Sequence, residues 1–215
     1  MKTITIKNIV PCIAAAFAVC ILNYSLTFLG VKVLHLPLFL DTLFTCTIAF
    51  AIPPLPGIFI AVLSHGIASG VQYIVFSSWG SLAFILCTTA EVLLIYGFRG
   101  KLTHPANSAN RGEPYSTIST ASSLLLLYLL TCITISLIGG VIDWAGTVIL
   151  GTGDHEALSY TFFKIGLLRN KLPLLAANIF SRIPVNIVDR FITIFGGYGL
   201  GQLLRRVLEK KKEGR

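Results

Sequence analysis

Asp189 and Arg190 stand side by side in the apolar run 183–206, IPVNIVDRFITIFGGYGLGQLLRR, and Asp41 stands in a second apolar run, LPLFLDTLF. An ionisable side chain inside a bilayer costs about 2.5–3.5 kcal/mol or more if it faces lipid, so each of these groups must turn inward. Helical spacing aligns Arg182, Asn186, Asp189, Arg190 and Thr193 on one stripe, which the small Gly197 and Gly201 continue. Asp41 and Asp189 are expected at similar depth, about a turn inside the same membrane face. That placement makes Asp41, Asn186, Asp189 and Arg190 the candidate substrate-binding residues, lining a polar pocket open to the outside. The other use of the same groups is an ion pair, Asp41 with Arg190 or one within the helix, that fixes helix packing.

His65 and Glu91 fall near the expected bilayer midplane, where they could pair with each other or lie on a proton path, a satisfied interhelical hydrogen bond being the first reading. Asn23 is a similar case, with helix-to-helix bonding the first reading. Ala14 and Ala18 form a small-xxx-small pair that lets another helix approach closely. The GGYGLG run departs from GxGxxG and lies within an apolar span rather than after a strand, so it reads as helix packing and not as a phosphate loop. Cys12, Cys20, Cys46, Cys87 and Cys132 sit singly in apolar runs without CxxC or Cys/His spacing, so neither a disulfide framework nor a metal site is indicated. No group here requires a cofactor, and no catalytic constellation appears.

The elements that must hold these residues follow from composition. Of 215 residues 54% are hydrophobic and 12% charged, and the mean hydropathy is +0.81. Such a chain cannot hide its apolar surface in one water-soluble core, and the expected class is an all-α polytopic membrane protein with a single integral membrane domain over 1–215. Six spans are expected, at about 8–29, 37–52, 57–76, 81–98, 118–142 and 184–206, with Pro184 as the first helical residue of the last. A Pro53-Pro54-Leu55-Pro56 turn separates the second and third spans. The stretches 99–117 and 145–171 read as solvated loops, and 173–181 reads as a short interfacial helix. The apolar stretch near the start continues past Ala18 to Leu29, too long for a signal peptide, so it is read as a retained first helix.

Six spans place both termini on one side, together with eleven of the seventeen Lys and Arg residues. The positive-inside rule makes that side cytoplasmic and the membrane the cell membrane. The net charge of +8 is then a topology signal, since there is no soluble basic domain to bind nucleic acid.

Six helices without a soluble domain, the LPLFLDT opening of the second helix, the PPLPGIFIAVLSHG turn into the third and PVNIVDRFITIFGGYGL near the end together resemble the substrate-binding S components of energy-coupling factor (ECF) transporters. The resemblance implies a non-enzymatic subunit that captures a vitamin or similar micronutrient near its outer face. A transmembrane coupling subunit and an ATPase pair would then drive release inward. It assigns Ala14 and Ala18 to an AxxxA face that docks the coupling subunit, and Asp41, Asn186 and Asp189 to the outer binding region. A metal cargo is disfavoured, because the metal-specific members carry an N-terminal His cluster that is missing here. A membrane sensor module and an ion- or proton-coupled permease using His65 and Glu91 remain the alternative classes.

Overall fold

The computed structural model describes residues 6–36, 38–76, 80–103, 115–151 and 158–213, and every regular element among them is helical. In chain order these are α1 (Ile6–Phe28), α2 (Leu43–Ala51), α3 (Pro54–Phe76), the single turn α4 (Gly80–Ala83), α5 (Ile85–Thr103), α6 (Tyr115–Ala145), α7 (Leu158–Arg169), α8 (Leu174–Phe191) and α9 (Gly197–Glu213). π-helical turns continue α1 (Leu29–Val33) and α6 (Gly146–Leu150), and another joins α8 to α9 (Ile192–Gly196).

Four stretches are long and apolar enough to cross a membrane: Ile9–Val33, Pro54–Ile74, Ser81–Leu102 and Ile118–Ile149. They also present large apolar side chains outward, among them Phe17, Ile21, Ile74, Leu86, Leu125, Leu129 and Ile133. An outward surface of this kind is tolerated in hydrocarbon and not in water. The expected second and sixth spans differ from these four. α2 is only nine residues long, about 13 Å of helix, because its lead-in 38–42 is not helical. Pro37, the expected start of that span, lies outside the described residues.

The last helix begins ten residues earlier than expected, at Leu174, so that Pro184 lies inside α8 rather than at its start. The stretch 173–181 is therefore part of this long helix and not a separate interfacial one. Much of the expected 99–117 loop, 104–114, lies outside the described residues. The expected 145–171 loop is largely helical, with a π-helical turn at its beginning and α7 near its end.

α2 is the core helix. Thr45, Cys46, Thr47, Ala49, Phe50 and Ala51 are all buried, and Cys46, Ala49 and Phe50 pack with Ala61 of α3, Val92 and Ile95 of α5, Leu127 of α6 and Ile194. Glycines let α9 lie directly on it: a Cβ at Gly197 would come within 2.7 Å of Cys46 Cβ, and one at Gly201 within 2.7 Å of Phe50 Cβ. A separate apolar cluster of Ala16, Val19 and Ile60 joins α1 to α3.

Paired contacts fix the helix directions. Asn186 meets Ser136 while Arg182 meets Asp143, so α6 runs antiparallel to α8. Arg99 Nη1 donates to the carbonyl of Ile52, so α5 and α2 end together. α2, α5 and α9 consequently end, and α3 and α6 begin, at one end of the bundle. Asp41, Arg182 and the start of α8 lie toward the other.

Candidate functional site

A non-helical stretch inside a membrane domain exposes backbone N–H and C=O groups that lipid cannot satisfy, so protein side chains must do so. The lead-in to α2 shows how. Thr27 on α1 donates to the carbonyl of Phe39 at 2.6 Å. The N–H of Leu40, a residue with left-handed φ of 49°, donates to Asp189 Oδ1 at 2.8 Å. Asn23 accepts from the N–H of Phe44 at 3.0 Å and donates to Thr45 Oγ1 at 2.9 Å, which satisfies the first turn of α2 from a neighbouring helix. Asn23 thus joins helices, as its type and depth suggest.

Asp189 connects this lead-in to Arg190. Its Nη1 donates to both carboxylate oxygens of Glu91, at 2.8 and 2.7 Å, and to Thr42 Oγ1 at 2.7 Å. Its Nη2 donates to Asp189 Oδ2 at 2.6 Å and reaches Asp41 Oδ1 at 3.5 Å. Three elements meet at this one guanidinium: α5 through Glu91, α8 through Asp189, and the α2 lead-in through Thr42 and, by way of the Asp189–Leu40 bond, through Leu40. Glu91 is 0% exposed and Asp189 0%, whereas the Asp41 side chain is 42% exposed. The two buried carboxylates share one cation, and Asp41 adds a third carboxylate at the exposed edge. Formally the group carries two negative charges more than positive. Among the described residues no set of three or more His, Cys, Asp or Glu side chains is arranged to hold a metal ion.

Nearer the start of α8, Arg182 forms a fork with Asp143 at 2.6 and 2.8 Å and lies 4.9 Å from the centre of the Phe84 ring. Gly139 makes room for this guanidinium, since a Cβ there would meet Arg182 Nη1 at 2.7 Å. Asn186 donates to Ser136 Oγ at 2.8 Å, and its carbonyl accepts from Cys132 Sγ at 3.2 Å.

The structure therefore brings Asp41, Asp189 and Arg190 together and places Asn186 one turn away, committed to α6. It adds Glu91, Thr42 and Asp143, which the sequence reading did not attach to these residues. Glu91 and His65 do not pair with each other: Glu91 takes Arg190, and His65 Nδ1 shares a 2.9 Å hydrogen bond with Thr88 of α5. The buried ion pair weighed for Asp41 and Arg190 is dominated by Glu91 and Asp189, with Asp41 on its rim. Asn178 was also missed. It is 1% exposed, and neither atom of its amide has a hydrogen-bond partner. Its position one turn before Arg182 on the inward stripe was the available signal. Ala14 and Ala18 lie on the exposed side of α1, opposite the buried Ala16 and Val19.

An all-helical chain with four stretches fit to cross a bilayer and a charged interior belongs to the class of multi-pass membrane proteins. Compared with known proteins, it matches no family model, no curated sequence and no solved structure.

Proposed function

We propose that the chain is the substrate-capture subunit of an ECF-type importer in the cell membrane, binding a vitamin-like micronutrient near its outer face at Asp41. The observation that carries the reading is the division of labour around Arg190. Glu91, Asp189 and Thr42 are consumed by interhelical bonds, while Asp41 keeps most of its hydrogen-bonding capacity and 42% of its side-chain surface. Asn186 and Asp189 contribute by holding α6 and the α2 lead-in in place around it, and Arg190 by orienting Asp41.

In this reading the protein crosses the membrane six times. The non-helical lead-in 38–42 and the nine residues of α2 together supply the second crossing. The α8–α9 helix supplies the sixth crossing, its charges turned inward and Ile187, Val188 and Phe191 turned outward. Both termini are cytoplasmic, following the Lys and Arg excess at that end. The exposed Ala14 and Ala18 offer α1 to the transmembrane coupling subunit, which works with an ATPase pair.

Mass spectrometry of small molecules retained by the gently purified protein tests the capture role. Asp41→Asn is expected to lose the retained molecule, by roughly five- to 150-fold in affinity, with little change in the thermal midpoint of the ligand-free protein. Full retention by this variant would remove Asp41 from the site. A second reading, an ion- or proton-coupled permease, is favoured by the two buried carboxylates that share one guanidinium. Uptake by the purified chain alone in liposomes under a proton gradient would select it, whereas copurification with an ATPase pair selects the importer.

A further inference from the structure

The end of the bundle where α2, α5 and α9 stop carries an exposed basic surface that none of the interior bonds uses. Arg206, Lys210 and Lys211 are exposed on α9, and Lys101 is exposed at the end of α5. Arg99, near the end of α5, is anchored on the Ile52 carbonyl. The packing of Gly197 and Gly201 against α2 sets α9 at a fixed position beside these ends. One acid on α9 is seen to answer a cation: Glu209 pairs with Arg205 at 2.9 Å.

Two further features point to the partner. Arg206 and Lys210 stand i,i+4 on the helix, a like-charge arrangement that weakens an isolated helix and is relieved by an outside anion. Apolar residues alternate with the basic ones: Leu203 is 57% exposed, Val207 63% and Leu208 38%. A water-facing tail has no use for three outward aliphatic side chains, and an acidic protein groove would not explain why they continue the lipid-facing apolar surface of Leu200. A membrane boundary accommodates both, because aliphatic side chains enter the acyl layer while Arg and Lys stems extend to the headgroups.

We propose that the α9 end, with Lys101 beside it, is a docking surface for anionic phospholipid headgroups. Arg206, Lys210 and Lys211 bind lipid phosphates, and Leu203 and Val207 seat the helix at the acyl boundary. The surface fixes this end of the protein at the charged leaflet independently of what the Asp41 site binds.

The test uses the full chain in nanodiscs of phosphatidylcholine alone or of phosphatidylcholine with phosphatidylglycerol. Retained phosphatidylglycerol is counted by native mass spectrometry, and thermal midpoints are read at low and high salt. The wild type is expected to retain phosphatidylglycerol in preference to phosphatidylcholine and to gain a higher midpoint from it that salt erodes. The triple variant Arg206→Gln, Lys210→Gln, Lys211→Gln should bind phosphatidylglycerol about fivefold more weakly per charge removed. The control Arg169→Gln with Lys171→Gln, at the opposite end, should match the wild type.

Equal loss in the control would show a general charge effect and overturn the proposal. Wild-type retention by the triple variant would overturn it as well. Equal stabilisation by inorganic phosphate in phosphatidylcholine discs would assign the surface to a free anion and reject the lipid.

Discussion

Arg190 is the residue through which the interior is held together. It answers two buried carboxylates and, through Asp189, controls the N–H of Leu40. Arg190→Gln leaves Glu91 and Asp189 buried without a cation and is expected to destabilise the protein by about 3–5 kcal/mol, seen as a collapsed thermal midpoint in detergent. Asp41→Asn removes only a 3.5 Å, half-exposed pair and is expected to change stability by less than about 1 kcal/mol. Equal losses in the two variants would mean that Asp41 belongs to the clasp and not to its rim. Asn178 provides a contrasting test. Its amide already lacks partners, so Asn178→Leu should leave the midpoint unchanged or raise it, whereas a loss of about 1–3 kcal/mol would reveal a bound water or ligand group at the amide.

At the level of elements, α2 is too short and too small-sided to stand alone, and its neighbours compensate at both ends. Asn23 and Thr27 of α1 satisfy the backbone at its start, and Gly197 and Gly201 bring α9 into contact along its length. Gly201→Leu would drive a side chain into Phe50 and the Thr47 carbonyl. It is expected to cost about 1–3 kcal/mol by overpacking, measured as a lower midpoint, while Gly199→Leu, with open space around it, should cost far less. Ala14→Leu with Ala18→Leu alters only an exposed face of α1, so the isolated protein should keep its midpoint. If that face docks the coupling subunit, copurification should be lost, and wild-type yield of the complex would rule the face out.

For the whole molecule, the proposed capture role requires Asp41 on the outside, which is the orientation expected from the distribution of Lys and Arg. In a background without native cysteines, Ser159→Cys near the start of α7 should react with an impermeant thiol reagent in intact cells. Ser108→Cys, outside the described residues, should react only after permeabilisation. Labelling of 108 with protection of 159 would invert the arrangement and put Asp41 on the wrong side for capture from outside.

Composition alone determined the helical, membrane-embedded character of the chain, because so large an apolar fraction has no other place to go. The cost of charge in hydrocarbon likewise made Asp41, Asp189 and Arg190 legible as inward-facing groups, and helical periodicity placed Arg182 and Asn186 with them. What periodicity could not supply was partnership. Glu91 is almost a hundred residues from Arg190 in the chain, and Asp143 thirty-nine from Arg182, so only the packing of α5 and α6 against α8 brings each pair together. The short α2 was equally hidden, since its lead-in is as apolar as a helix. That lead-in can stay non-helical because Thr27 and Asp189, on two other helices, satisfy the Phe39 carbonyl and the Leu40 N–H that lipid would have left unpaired.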